Sequence, residues 1–80
     1  MNSKYEKLIK ELDKKWNVIS MTNEEAKSYY KLITGLEPNM SIFDIKDYIL
    51  EYATENLIEQ NLIDYEEAGK LIAYIEDKWK

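Results

Sequence analysis

The chain has 80 residues, 45% of them apolar, and a formal net charge of −5, which suits one small domain and is too apolar for a disordered segment. It has no cysteine and no histidine, and all eleven of its cations are lysine. Disulfide frameworks, thiol chemistry, His/Cys metal centres and bidentate guanidinium grips on phosphate are thereby excluded, and the commonest general base near neutral pH is missing.

Four short phrases mark helix starts. Ser3-Lys4-Tyr5-Glu6, Thr22-Asn23-Glu24-Glu25, Ser41-Ile42-Phe43-Asp44 and Asp64-Tyr65-Glu66-Glu67 each set a capping side chain three residues before a carboxylate. The cap oxygen accepts from a first-turn N–H, and the carboxylate sits at the positive end of the helix dipole. Apolar pairs able to staple the start accompany three of them: Met21 with Ala26, Met40 with Ile45, and Ile63 with Ala68.

The first helix, α1, is expected from about Lys4 to Trp16, with Tyr5, Leu8, Ile9, Leu12 and Trp16 on one face. Val18, Ile19 and Met21 form a partly apolar connection. The second, α2, is expected from about Asn23 to Thr34, facing inward through Ala26, Tyr29, Tyr30 and Ile33. Gly35 suits the left-handed closing position, Leu36 can fold back on the last turn, and Pro38 blocks continuation. The third, α3, is the longest, from about Ile42 to Gln60. Its apolar arc (Ile42, Phe43, Ile45, Ile49, Leu50, Ala53, Leu57) is wide enough for a central helix, Lys46 interrupts it, and Asn61 is a natural stop. The fourth, α4, is expected from about Tyr65 to Trp79, with Ala68, Leu71, Ile72, Ile75 and Trp79 inward and Gly69 allowing close helix packing. Lys7-Leu8-Ile9 with Lys15-Trp16 is echoed by Lys70-Leu71-Ile72 with Lys78-Trp79, as two amphipathic helices of biased composition can converge to do. Short connections make sequential helices neighbours. The expected fold is therefore one all-α domain over residues 1–80, a compact four-helix bundle, with an orthogonal four-helix arrangement as the alternative.

Charge is unevenly placed. Residues 1–15 carry a net +2, whereas residues 36–77 hold eleven acids and two lysines, a net −9. Within α3, Asp44, Asp47, Glu51, Glu55 and Glu59 follow i, i+3, i+7, i+11, i+15 and fall within an arc of roughly 120° opposite the apolar arc. No lysine enters this row, although like charges at such spacing cost a few tenths of a kcal/mol per pair. Tyr48 and Tyr52 lie beside it, and amphipathic rings next to charge are favoured at protein interfaces.

No nucleotide-binding loop, EF-hand or nucleophile elbow is present, so neither an enzyme nor a bound cofactor or metal is expected. No apolar run reaches the roughly 18–20 residues of a membrane span and no signal peptide is visible, which points to a cytoplasmic protein. In size, acidity and lack of catalytic groups the chain is similar in kind to small inhibitors encoded by phages and mobile elements, a likeness of composition. The leading expectation is a non-enzymatic inhibitor or regulator. It would present Asp44, Asp47, Tyr48, Glu51, Tyr52, Glu55 and Glu59 to a basic, nucleic-acid-binding surface of a partner protein. One alternative is a self-associating structural subunit that buries the α3 arc, or Trp16 and Trp79, against a second copy. Another is a DNA-binding regulator using Lys7, Lys10, Lys14 and Lys15 of α1, which the acidity of α3 disfavours.

Overall fold

Apolar residues that return every three to four positions oblige each helix to find cover along one side. The computed structural model, which describes residues 3–79, shows where each finds it. Four helices account for 71% of the described residues: α1 Ser3–Asp13, α2 Asn23–Thr34, α3 Ile42–Glu59 and α4 Tyr65–Lys78, with no strand among them. The Cα radius of gyration is 12.2 Å, near the roughly 11.6 Å expected of a folded chain of this length. The all-α four-helix reading is therefore correct. α3 packs against both α2 and α4. α1 joins through long side chains: the Tyr5 ring lies 5.0 Å from that of Tyr74, and the Lys4 ammonium pairs with Glu67.

The caps explain where the helices start. Thr22 Oγ1 accepts the Glu25 N–H at 3.0 Å and Glu25 Oε1 accepts the Thr22 N–H at 3.0 Å, a reciprocal box. Only the cap half forms at the next two starts. Ser41 Oγ accepts the Asp44 N–H at 3.2 Å and Asp64 Oδ1 accepts the Glu67 N–H at 2.8 Å. Asp44 is one methylene shorter than glutamate, and the Glu67 carboxylate is drawn to Lys4 on α1 instead. The side chain of Ser3, expected to cap α1, lies outside the described residues. Of the staple pairs, Met21 with Ala26 and Ile63 with Ala68 are buried, whereas Met40 is 37% exposed.

Helix ends follow from left-handed residues. Gly35 (φ 73°) closes α2, its N–H bonded to the Lys31 carbonyl at 2.8 Å. Leu36 does not fold back but stays exposed, its N–H held by Thr34 Oγ1 at 3.1 Å. Asn61 (φ 61°) ends α3, with the Leu62 N–H reaching back to the Leu57 carbonyl at 3.0 Å and its own to Ile58 at 2.9 Å. α1 stops three residues earlier than its periodicity predicts. Asn17 takes φ 50°, and Asp13 Oδ1 accepts the Val18 N–H at 2.8 Å, so a side chain displaces the helical ladder. This turn drives Val18 and Met21 into the core and makes the connection a structural element rather than a loop.

The same connection is tied at two further points. The Glu25 carboxylate also accepts from Asn17 Nδ2 at 3.3 Å. The hydrogen bond from the Thr22 backbone N–H, aided by Asn17, holds this carboxyl below the ordinary glutamate range despite some opposing burial. Tyr29 beside it is pushed up, first by burial and then by the Glu25 charge. Across the molecule, the Trp79 indole N–H donates to the Val18 carbonyl at 2.8 Å, a bond spanning 61 positions. Trp16 and Trp79 thus play different parts despite their sequence echo: Trp16 is 4% exposed beyond the end of α1, and Trp79 is a half-buried donor at the end of α4.

The core gathers Leu8, Leu12 and Trp16 with Ala26, Tyr30, Leu71 and Ile75 around Ile45, Ile49, Leu50, Ala53 and Leu57 of α3. Thr54, absent from the expected inward face, is also buried, its hydroxyl donating to the Glu51 carbonyl at 3.0 Å. Lys46 is half-buried within the arc, as a stem running outward along apolar surface requires. Phe43 is largely exposed, with its ring against Trp79 at 5.9 Å. Gly69 corrects the expectation placed on it: it is exposed, and a Cβ there would meet nothing within 4 Å, so helix packing does not require glycine.

Two stability outcomes follow. Trp79→Phe keeps an apolar ring but leaves the buried Val18 carbonyl without its donor, and should cost about 1–3 kcal/mol in urea unfolding while the far-UV spectrum is unchanged. Gly69→Ala should stabilise by about 0.5–1 kcal/mol in the same assay, since a helix-interior glycine is replaced by the best helix former at no steric cost.

Candidate partner-docking surface

A helix that packs on both flanks keeps only a narrow outward strip for charge, and on α3 that strip is acidic. Asp44, Glu51, Glu55 and Glu59 are exposed along it. Asp47 departs from the expectation: it is half-buried, at one margin of the row, whereas Glu59 at the opposite margin lies at the last position of α3 and stays exposed. Successive positions rise roughly 4.5–6 Å along the axis. The ion pairs among the described residues join Lys4 to Glu67, Lys14 to Glu11, Lys31 to Glu37 and Lys70 to Glu66. None of them involves an acid of this row. The ridge is therefore a line of solvated, uncompensated carboxylates on a regular helix.

Tyr48 and Tyr52 flank it on the side facing α2 and the end of α1. They are 38% and 40% exposed, so each ring has one side inward and one outward. The inward sides are fixed. Tyr48 meets the Tyr30 ring at 5.3 Å, and Tyr52 meets Trp16 edge-on at 5.9 Å, with Tyr29 edge-on to Trp16 at 5.2 Å. Edge-to-face pairs of this kind hold a ring in one orientation and contribute about 0.5–1.5 kcal/mol beyond area burial. Tyr48, Glu51, Tyr52 and Glu55 together surround a shallow depression of about 190 Å³. The structure thus unites six of the seven expected residues on one exposed face and leaves Asp47 at its edge.

On the opposite flank lies a second feature that the sequence pattern did not reveal. Glu51 and Glu55 also border a groove of about 290 Å³ between α3 and α4, with Ile58, Tyr65, Ala68, Gly69 and Ile72. Its signal in the sequence was Gly69, which the helical pattern assigned to close packing within the fold and the structure places at a groove instead.

The other expected surfaces are placed differently. The central α3 arc and Trp16, which the self-association alternative would turn toward a second copy, are spent inside this chain. Lys7, Lys10, Lys14 and Lys15 are exposed, with Lys14 bound to Glu11 at 3.0 Å. Among the described residues, no three carboxylates are placed to share a metal ion, and no helix is long and apolar enough to cross a membrane.

No protein-family model matches the chain, and neither curated proteins nor solved structures include a significant relative.

The ridge has a measurable cost. Asp44/Asp47, Asp47/Glu51, Glu51/Glu55 and Glu55/Glu59 are like-charge neighbours at i, i+3 or i, i+4. Added salt should raise the urea midpoint of the wild type through screening. The double substitution Glu51→Lys/Glu55→Lys turns two of these pairs attractive and should stabilise by a few tenths of a kcal/mol at low ionic strength, with the salt effect reduced. A destabilised or unfolded double variant would contradict the placement of these side chains in solvent.

Proposed function

We infer that this chain is a non-enzymatic protein-binding module, an inhibitor or regulator that docks the acidic face of α3 onto a basic surface of a partner protein. The observation that carries the reading is the exposed row Asp44, Glu51, Glu55 and Glu59, without an ion pair among the described residues and bordered by two clamped tyrosines. A helix serving solubility alone tolerates mixed signs, and mixing would relieve the repulsion. Kept unmixed, the row supplies attraction that is realised only when a cationic surface arrives, which accelerates encounter and sets orientation.

The spacing favours a particular class of partner. Charges every several ångströms along a line are what a surface built to hold a nucleic-acid strand through lysine and arginine is arranged to meet. Tyr48 and Tyr52 then contribute contact area with little further loss of rotamer freedom, because their inner sides are already packed. Competition for a nucleic-acid-binding surface is the mode of inhibition this implies, and the cytoplasm is where such partners are met.

Affinity capture from the native host with the wild type and with Glu51→Lys/Glu55→Lys, compared by quantitative mass spectrometry, tests the reading. A basic protein retained by the wild type, lost with the double variant and released by moderate salt is the expected outcome. Identical captured sets for the two baits would remove the docking role of α3.

A further inference from the structure

We propose that the groove between α3 and α4 receives an amphipathic helix of the partner, its apolar side over Gly69 and its lysine or arginine side against Glu51 and Glu55. The proposal rests on the ridge reading above and names the structural element that the ridge meets. Three observations converge on it. Gly69 sits inside α4 with no positive φ and nothing within 4 Å of the place a Cβ would occupy, so the fold gains nothing from glycine there. A helix-interior glycine is destabilising, and its remaining use is to let another backbone come close. Tyr65 stands 77% exposed at the groove and Ile58 and Ile72 are only half-buried, an apolar lining without cover. Glu51 and Glu55 border the same groove, and among the described residues no lysine lines it and neither carboxylate has an ion pair.

The shape selects the occupant. Glu51 to Ile58 on one wall and Tyr65 to Ile72 on the other each run roughly 10 Å, two helical turns. A helix satisfies its own backbone and needs only apolar contact and charge from the walls. An extended segment would need backbone partners that two helices do not offer. The lysine-bearing helix of a second copy is no substitute, because Leu8 and Leu12 of α1 already face their own core.

The test uses a labelled synthetic peptide of about 15 residues, roughly 22 Å as a helix and so longer than the groove, with leucine at i, i+3, i+7 and i+10 and lysine elsewhere. A scrambled peptide of the same composition is the control, and fluorescence anisotropy at low salt is the readout. The wild type should bind the amphipathic peptide at least about tenfold more tightly than the scrambled one, a difference of roughly 1.4 kcal/mol. Gly69→Leu, which fills the groove while favouring the helix, should lose that preference and unfold at no lower urea concentration than the wild type. Equal binding of both peptides, or no binding of the amphipathic one, overturns the proposal. Full binding by Gly69→Leu with loss in Glu51→Lys/Glu55→Lys overturns the groove and leaves the ridge standing. Indifference to both variants takes down the two readings together. A concentration-dependent dimer in sedimentation that Gly69→Leu abolishes would assign the groove to a second copy instead.

Discussion

The chain is organised by one constraint: α3 must be covered on both flanks for so short a sequence to own a core. Ile45, Ile49, Leu50, Ala53, Thr54 and Leu57 are all buried on this helix, more than on any other. A domain of this size hides only roughly 60% of the surface its unfolded chain exposes, so a single helix touching several neighbours is an economical way to reach it. Once that much of the circumference is turned inward, polar residues have one strip left. The acidic ridge is therefore positioned by packing, and its sign is the free variable. That sign is uniform from Asp44 to Glu59, and packing has no account of it.

Around this axis the remaining elements are secured by hydrogen bonds that fold short connections back on the core. Asp13, Asn17 and Glu25 convert the stretch after α1 into a fixed turn that buries Val18, and Trp79 returns from the far end of the chain to satisfy the Val18 carbonyl. The consequence for the ridge is direct. Trp16, held beyond the end of α1 by this turn, is the edge against which Tyr52 rests, and Tyr29 of α2 closes the same aromatic group. A connection remote from the acids in sequence thus bears on how firmly one of their flanking rings is held.

Much of this was legible in the sequence because it is local. Capping phrases and left-handed residues placed the starts of α2, α3 and α4 and the ends of α2 and α3 to within a residue. The apolar periodicities named most of the core, and four of the five acids in the spaced row are exposed. The misreadings arise where tertiary contacts or side-chain competition outweigh period. Trp16 kept the helical phase of α1, yet Asn17, the same residue type that closes α3 at Asn61, had already ended the run with help from Asp13. Asp47 shared the spacing of its neighbours but lies at the margin of the row, where a few tens of degrees separate solvent from cover. Gly69 was read as a packing glycine and not as part of a groove, since a groove needs both walls and only one of them is local in sequence.

Two features of the α3–α4 face are individually unfavourable for folding and share no structural cause. Like-charge neighbours on α3 repel, and a glycine in α4 weakens its helix without any close contact that demands it. A small domain has only a few kcal/mol to lose, so local choices that disagree with the fold stand out against the many that agree with it. The caps, the staples, the closing turns and the core all point toward one packed helical structure. The exceptions fall together, on either side of the groove that Glu51 and Glu55 border. Such local conflicts are expected where a sequence answers to something other than its own stability. A cationic neighbour would answer the uniform charge and a close one the bare α4 surface, and the single helix proposed for this groove would do both.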